Sequence, residues 1–160
     1  MAAIGYVTVE EATEYIETRY ASTDELRQSW KFMDEDDQAV YLQKSFDVIE
    51  TLPFRGRKFS TEQKTAFPRW PNKEVPEAVK RAQIENALTL ADATSVEEAA
   101  LYDKLWKYGV SSYSIGNLSE SSSNSSWGRA SSNVAVTAGI TSTVAVNLLR
   151  PYLGGGFRLE

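Results

Sequence analysis

"MDEDDQAVYLQKSFDVIETLP", Met33 to Pro53, carries the pattern on which the fold turns. Its acids Asp34, Glu35, Asp36 and Asp37 come first, and Ala39, Leu42, Phe46 and Ile49 then recur at three- and four-residue steps. That spacing gathers the apolar side chains on one helical face, while acids at the start complement the positive end of the helix dipole. Pro53 stops the run. The pattern predicts a helix over 36–51. Four adjacent carboxylates also invite a divalent-cation reading. Neighbouring side chains on a helix point in different directions, however, and give poor octahedral geometry. The helix-start role is the better account, and no metal site is expected.

Downstream the character changes. "FRGRKFSTEQKTAFPRWPN", Phe54 to Asn72, sets Arg55, Arg57, Lys58, Lys64 and Arg69 against a single acid, Glu62, with Phe54, Phe59, Phe67 and Trp70 interleaved. Cations and aromatics together are what a single-stranded nucleic-acid groove uses, for phosphates and for base stacking. A folded connector uses the same residues differently. Arg55-Gly56 supplies a turn, Gln63 and Arg69 hydrogen-bond backbone carbonyls, and Phe67-Pro68 and Trp70-Pro71 act as stiff apolar plugs. A third use is pairing with the acidic surface of an identical neighbour. Structural and subunit-contact roles are favoured over nucleic-acid binding.

Outward from these stretches the chain reads as further helices. Thr8-Val9-Glu10-Glu11 has the form of a capping box, which predicts a helix over 9–20 with Ala12, Tyr15, Ile16 and Tyr20 on its inner face. Ser22 or Thr23 is expected to cap a short helix bearing Leu26 and Trp30. Val75-Pro76-Glu77 opens a helix over 77–92, with proline in its first turn. Val79, Ala82, Asn86, Ala87, Leu90 and Ala91 give it a face of mostly small residues. Ser95 is a cap for one more short helix, and Thr141 or Ser142 for a last one over 141–150. Between these, "GVSSYSIGNLSESS" alternates as a hairpin around Gly116-Asn117 would. Ser119 to Ser132 is polar and of low complexity, with Trp127 its one large apolar residue, so it is expected to be mobile.

The expected fold is therefore mainly α. A small helical bundle carries a long basic connector loop, an extended β-like serine-rich arm and a flexible C-terminal tail. One domain spans 1–153 with the arm inserted at about 108–133, and the tail is 154–160. Gly154, Gly155 and Gly156 serve as its hinge, and Phe157, Arg158 and Leu159 as a short amphipathic end.

Composition narrows the chemistry. The 160 residues suit one domain and a sizeable core. There is no cysteine and no histidine. That removes disulfide frameworks, the usual zinc ligands, cysteine nucleophiles and histidine-based triads. No serine and lysine are paired by spacing, and the triple glycine is not a phosphate loop because no lysine-bearing helix follows it. No catalytic residue, cofactor or metal is expected. The start "MAAIGYVTVEEATEY" lacks a basic segment before an apolar run, and no stretch approaches membrane-spanning length. A formal net charge of −5 argues against a dedicated DNA binder.

The order of elements carries a resemblance. "Y-V-T-V-E-E-A-x-x-Y" from Tyr6 to Tyr15, Trp30, the run from Leu52 to Arg69, and "V-P-E-A-V-K-R-A-Q-I-E-N-A" from Val75 to Ala87 resemble tailed-phage head–tail adaptor proteins. Some members are labelled DnaT-like single-stranded-DNA-binding proteins. Phe54, Gly56, Gln63, Phe67, Pro68, Arg69 and Pro76 occupy the family's F-x-G turn, glutamine, aromatic-Pro-Arg triplet and helix-starting proline. "YGVSSYSIGNLSESS" and "LLRPYLGGGFRLE" look like its extended arm and its close. The resemblance implies a structural virion protein and no enzyme. It implies a homo-oligomeric ring of about twelve copies, docked on the portal protein, extending the DNA channel and receiving the next neck, stopper or tail protein. DNA passes through its lumen without specific binding. Its place is the virion neck, with assembly in the host cytoplasm. Phe54, Arg55, Gly56, Arg57, Gln63, Phe67, Pro68, Arg69 and Trp70 are then connector and subunit contacts, and the tail from Gly154 to Leu159 docks on the portal. The alternative is an accessory protein that binds single-stranded nucleic acid.

Overall fold

A computed structural model describes residues 2–92, 96–97, 100–101, 104, 112–115, 118–121 and 139–154. Its elements are α1 (Val9–Arg19), α2 (Glu25–Phe32), α3 (Glu35–Glu50), α4 (Glu77–Leu90), β1 (Ser112–Ile115), β2 (Leu118–Ser121) and α5 (Thr143–Leu149), with a 3₁₀ turn over Arg150–Tyr152. The architecture is mainly helical, as the pattern predicts.

Local chemistry sets most helix starts. Thr8 Oγ1 accepts from the Glu11 N–H at 3.2 Å, and Glu11 Oε2 accepts from the Thr8 N–H at 2.8 Å, which completes the expected capping box. Ser142 caps α5 by accepting from the Ala145 N–H at 3.1 Å. The cap of α2 is Asp24, accepting from the Leu26 N–H at 2.9 Å, rather than Ser22 or Thr23. A carboxylate there answers both the free N–H groups and the helix dipole, which a hydroxyl does less well. Helix α3 has no side-chain cap bond and begins on Glu35, Asp36 and Asp37. Pro76 stands just outside α4, at its cap position, instead of inside the first turn.

Two cores lie along α3 and α4. Val7, Val9, Ala12, Ile16 and Trp30 pack with Leu42 of α3 and with Ile84, Ala87 and Leu88 of α4. Tyr6, Leu52, Ala66, Phe67, Ile140, Ala145, Leu149 and Leu153 pack with Ile49 of α3 and with Val79 and Ala82 of α4. The start of α3 thus shares a core with the end of α4, and the reverse holds at the other end. The two helices run antiparallel, and each threads both cores.

Helix α4 is sealed without a break from Ala82 to Leu88. The expected face of small residues includes Asn86 but misses Gln83 and Glu85, and all three are buried. Each is held by a different neighbour. Gln83 Oε1 accepts from the Tyr6 N–H at 3.0 Å, and its Nε2 donates to the carbonyls of Ile4 at 2.7 Å and Leu42 at 3.1 Å. Ser45 of α3 adds a hydroxyl bond to the Gln83 carbonyl at 2.7 Å. Glu85, 1% exposed, accepts from the phenols of Tyr15 at 2.8 Å and Tyr20 at 2.5 Å. Asn86 Oδ1 accepts from the Thr141 N–H at 2.9 Å, just before α5.

At the N-terminus, Ile4 to Val7 forms a tight turn closed by the Ile4 N–H donating to the Val7 carbonyl at 2.7 Å. Gly5 turns with φ at +70°, and a Cβ there would stand 2.3 Å from Cδ2 of Phe46.

The hairpin expectation is met at the backbone level, with β1 and β2 antiparallel, Ile115 opposite Leu118 and Ser112 opposite Ser121. Val96, Glu97, Ala100, Leu101 and Lys104 have helical backbone, while the expected cap Ser95 lies outside the described residues. So do Ser122 to Ser132, Trp127 included. The last helix is shorter than 141–150: α5 stops at Leu149, and the tighter turn that follows accommodates Pro151.

Two tests follow. Gly5→Ala meets both the left-handed backbone and the Phe46 ring, so it should destabilise by about 2–4 kcal/mol, read as a lowered urea midpoint. For the tyrosines, burial and the bond to Glu85 push the Tyr15 phenol up from 10.0 to about 12, and raise Tyr20 for the same reasons. The folded state therefore keeps its phenol protons where the unfolded chain would lose them. That stabilisation is fully present below pH 10 and is lost as pH rises towards 12. Tyrosinate absorbance and loss of helicity should rise together across this window. Ionisation of all tyrosines near pH 10 with helicity intact would contradict the burial of these two phenols.

Candidate functional site: the basic connector

The connector between α3 and α4 folds back on itself. Lys58 and Arg69 form an antiparallel bridge, the Phe59 N–H donates to the Pro68 carbonyl at 3.1 Å, and the Trp70 N–H donates to the Arg57 carbonyl at 3.1 Å. Two of the X-Pro bonds here, Phe67-Pro68 and Trp70-Pro71, are cis.

Two of its five cations, Lys58 and Arg69, are turned to carbonyl oxygens, while Arg55, Arg57 and Lys64 stay exposed. Arg69 donates through Nε to the Arg55 carbonyl at 2.8 Å, through Nη1 to Ala66 at 3.2 Å, and through Nη2 to Phe54 at 3.2 Å and to Gly56. The planar five-donor fork of arginine suits such a cluster, where the single-point ammonium of lysine does not. Gln63 Nε2 donates to the carbonyls of Thr65 at 2.9 Å and Pro68 at 2.8 Å. Lys58 Nζ reaches the carbonyls of Gln63 at 3.3 Å and Lys64 at 3.1 Å. These bonds give the irregular backbone the partners that a helix or sheet would otherwise supply. Gly56 makes the turn at φ +79°.

Phe67 is the apolar centre of the connector, 1% exposed. Phe54 meets its ring edge-on at 4.7 Å between centroids, Tyr152 at 5.8 Å and Tyr6 at 6.1 Å. A polar latch lies alongside. The Tyr6 hydroxyl donates to Glu50 Oε1, the Ala66 N–H donates to Glu50 Oε2 at 2.7 Å, and the Phe67 N–H donates to the Tyr6 oxygen at 3.2 Å. Burial, and then the Glu50 bond, raise the Tyr6 phenol above its ordinary range, so it serves as a fixed neutral donor.

The expected site residues therefore divide. Gln63, Phe67 and Arg69 are internal braces whose donors and rings are occupied within the chain. Phe54 is half-buried in the same aromatic cluster, and Pro68 lends its carbonyl. Arg55, Arg57 and Trp70 are exposed. Trp70 is not an apolar plug: it is 58% exposed, and the Arg57 guanidinium lies over its ring at 5.4 Å. A cation–π pair keeps the indole ordered without covering it.

The tail also begins later than expected. Phe54 and Leu153 form an antiparallel bridge, the Arg55 N–H donates to the Tyr152 carbonyl at 2.9 Å, and the Gly154 N–H donates to the Pro53 carbonyl at 2.7 Å. A Cβ on Gly154 would stand 3.1 Å from the Pro53 oxygen, so this glycine permits close backbone approach and is not a hinge. Gly155 to Leu159, the rest of the expected docking tail, lie outside the described residues. The chain leaves the described fold beside the connector.

Sequence spacing does not reveal Tyr6, Glu50 or Tyr152 as connector partners, since 44 residues separate Tyr6 from Glu50 and 61 separate it from Phe67. Nor does it give any role to Lys58. The only local hint is that Glu50 ends an amphipathic helix immediately before the loop it fastens.

Arg69→Lys should therefore lower stability by about 2 kcal/mol or more, because several carbonyls lose a charged donor together. Arg57→Gln should stay within roughly 0.5 kcal/mol of the native chain. Urea unfolding of the two variants checks this. Equal effects would mean that the fork does not brace the loop.

No curated protein and no solved structure matches the chain. One family does match, over residues 2–159, under the description "Putative DnaT-like ssDNA binding protein". A match over nearly the whole length, covering the connector and both cores, means that the chain belongs to this family.

Proposed function

We propose that the protein is a structural assembly component of a tailed phage, a head–tail adaptor that forms a ring on the portal, and that it is not an enzyme. The observation that carries this is the inward satisfaction of the connector. Arg69, Gln63 and Lys58 spend donors on the loop's own carbonyls, so the ribbon is a shaped ledge and not an open phosphate groove. A ledge of fixed shape is what repeated subunit or portal contacts need. The chain's exit beside this ledge lets the tail act on the same partner, where weak contacts repeated around a ring add up. A net charge of −5 suits a channel through which DNA slides without being gripped. The portal, the next neck or tail protein and further copies of the chain are the partners in this account, and the virion neck is its location.

Single-stranded nucleic-acid binding is the second reading. It is favoured by the family description and by the exposed Trp70–Arg57 pair, which offers one stacking face and one cation.

Two measurements on the full chain separate them. The adaptor account expects co-sedimentation with purified portal rings and little oligonucleotide binding at physiological salt. Truncation after Gly154 should then leave helicity and melting temperature nearly unchanged while abolishing portal attachment. Micromolar oligonucleotide affinity that falls steeply with salt and is lost in Trp70→Ala, together with no portal association, would favour the second reading.

A further inference from the structure

Helix α3 separates two unlike surfaces. At its start, Phe32 stands 82% exposed as the last residue of α2, followed by the exposed acids Asp34, Glu35, Asp36 and Asp37. None of these four carboxylates is paired with a cation among the described residues. A cleft of about 250 Å³ opens at the same end, lined by Trp30, Met33 and Gln38 among others, with the carboxylates Glu17 and Glu35 and the cations Arg27 and Lys31 on its walls. Beyond the other end lies the connector, with exposed Trp70 and Phe59 among the exposed cations Arg55, Arg57 and Lys64. Those cations have no carboxylate partner among the described residues either. At 1.5 Å per residue the helix holds the two surfaces about 24 Å apart.

An acidic surface with a bare aromatic and a cleft is complementary in charge and in chemistry to a basic surface with a projecting indole. Helix α3 is rigid and packed into both cores, so the two surfaces cannot meet within one chain. They can meet only between copies. We infer that the connector end of one subunit docks on the α2–α3 corner of the next, with Trp70 of one copy entering the cleft beside Phe32 of its neighbour. Arg55 and Arg57 then face Asp34 to Asp37 across the rim. Such a contact is heterologous, because different patches meet, and it propagates: repeated, it closes into a ring or runs on as a filament. Buried aromatics at the centre with opposite charges around them are the usual anatomy of a specific contact. This rests on the adaptor reading for its biological setting, but its geometry is independent of the portal.

The absence of cysteine makes a clean test. Phe32→Cys and Trp70→Cys each replace an exposed side chain, so neither should disturb the fold. Under oxidation at high protein concentration, a mixture of the two full-length variants should give several-fold more disulfide-linked dimer than either alone. The double variant should give a ladder of higher multimers. Asp36→Lys with Asp37→Lys in the Phe32→Cys chain should suppress the mixed dimer, and Arg55→Glu with Arg57→Glu in the Trp70→Cys chain should restore it. A mixture that links no better than the separate variants overturns the contact. So does a yield indifferent to the charge reversals. Portal co-sedimentation with no cross-link removes this contact and leaves the adaptor reading standing, whereas cross-linking without portal association does the opposite.

Discussion

A helix segment enclosed on all sides needs partners for its polar side chains, and between Ala82 and Leu88 α4 carries three in a span of four residues. Of their polar atoms, Asn86 Nδ2 alone has no partner among the described residues. Gln83 can be satisfied only if the N-terminal turn lies against it with α3 at the correct depth. Glu85 needs α1 and the residue after it to present two phenols. Asn86 takes the backbone N–H of Thr141 and thereby fixes where α5 starts. An unpaired polar group in that position costs about 1–3 kcal/mol, more when charged, which is comparable to a sizeable part of a domain's net stability. The hydrophobic clusters supply attraction but little direction. These three side chains supply the direction, and the helices settle around α4 in one arrangement.

The connector applies the same rule to irregular backbone. A loop lying against the core has carbonyls that neither a sheet nor a helix will pair. Here the Arg69 fork, the Gln63 amide and the Lys58 ammonium do so, while Glu50 and Tyr6 take the N–H groups of Ala66 and Phe67. The result is a loop as well bonded as a regular element, standing at the end of α3 opposite the acidic α2–α3 corner. Polarity of this kind, set by one rigid helix, gives the chain a front and a back.

What was legible in the sequence follows from range. The Thr8–Glu11 box, the acids before α3 and the Ser142 cap act within four residues, and local pattern exposes them. The roles of Gln63 and Arg69 were also readable, because a cation-rich ribbon with prolines has few other sources of backbone partners. The partners of Gln83, Glu85 and Asn86 lie up to 79 residues away, and periodicity cannot register them. It leaves Gln83 and Glu85 facing solvent, which is why α4 seemed to have only one buried face. Trp70 failed in the opposite sense. Its size suggested a plug, but a cation on its face provides an alternative to burial that spacing does not encode. Gly154 looked like the first link of a hinge because it begins a glycine run, although its lack of a side chain serves close approach to Pro53.

The Arg69 clamp has an evolutionary consequence. It grips carbonyl oxygens, and every amino acid offers the same one. The side chains at 54, 55, 56 and 66 can therefore drift without loosening the grip, subject only to the turn that Gly56 makes and the packing of Phe54 and Ala66. Lineages holding the arginine, the glutamine and the turn glycine can preserve the shape of this loop long after its remaining letters have diverged.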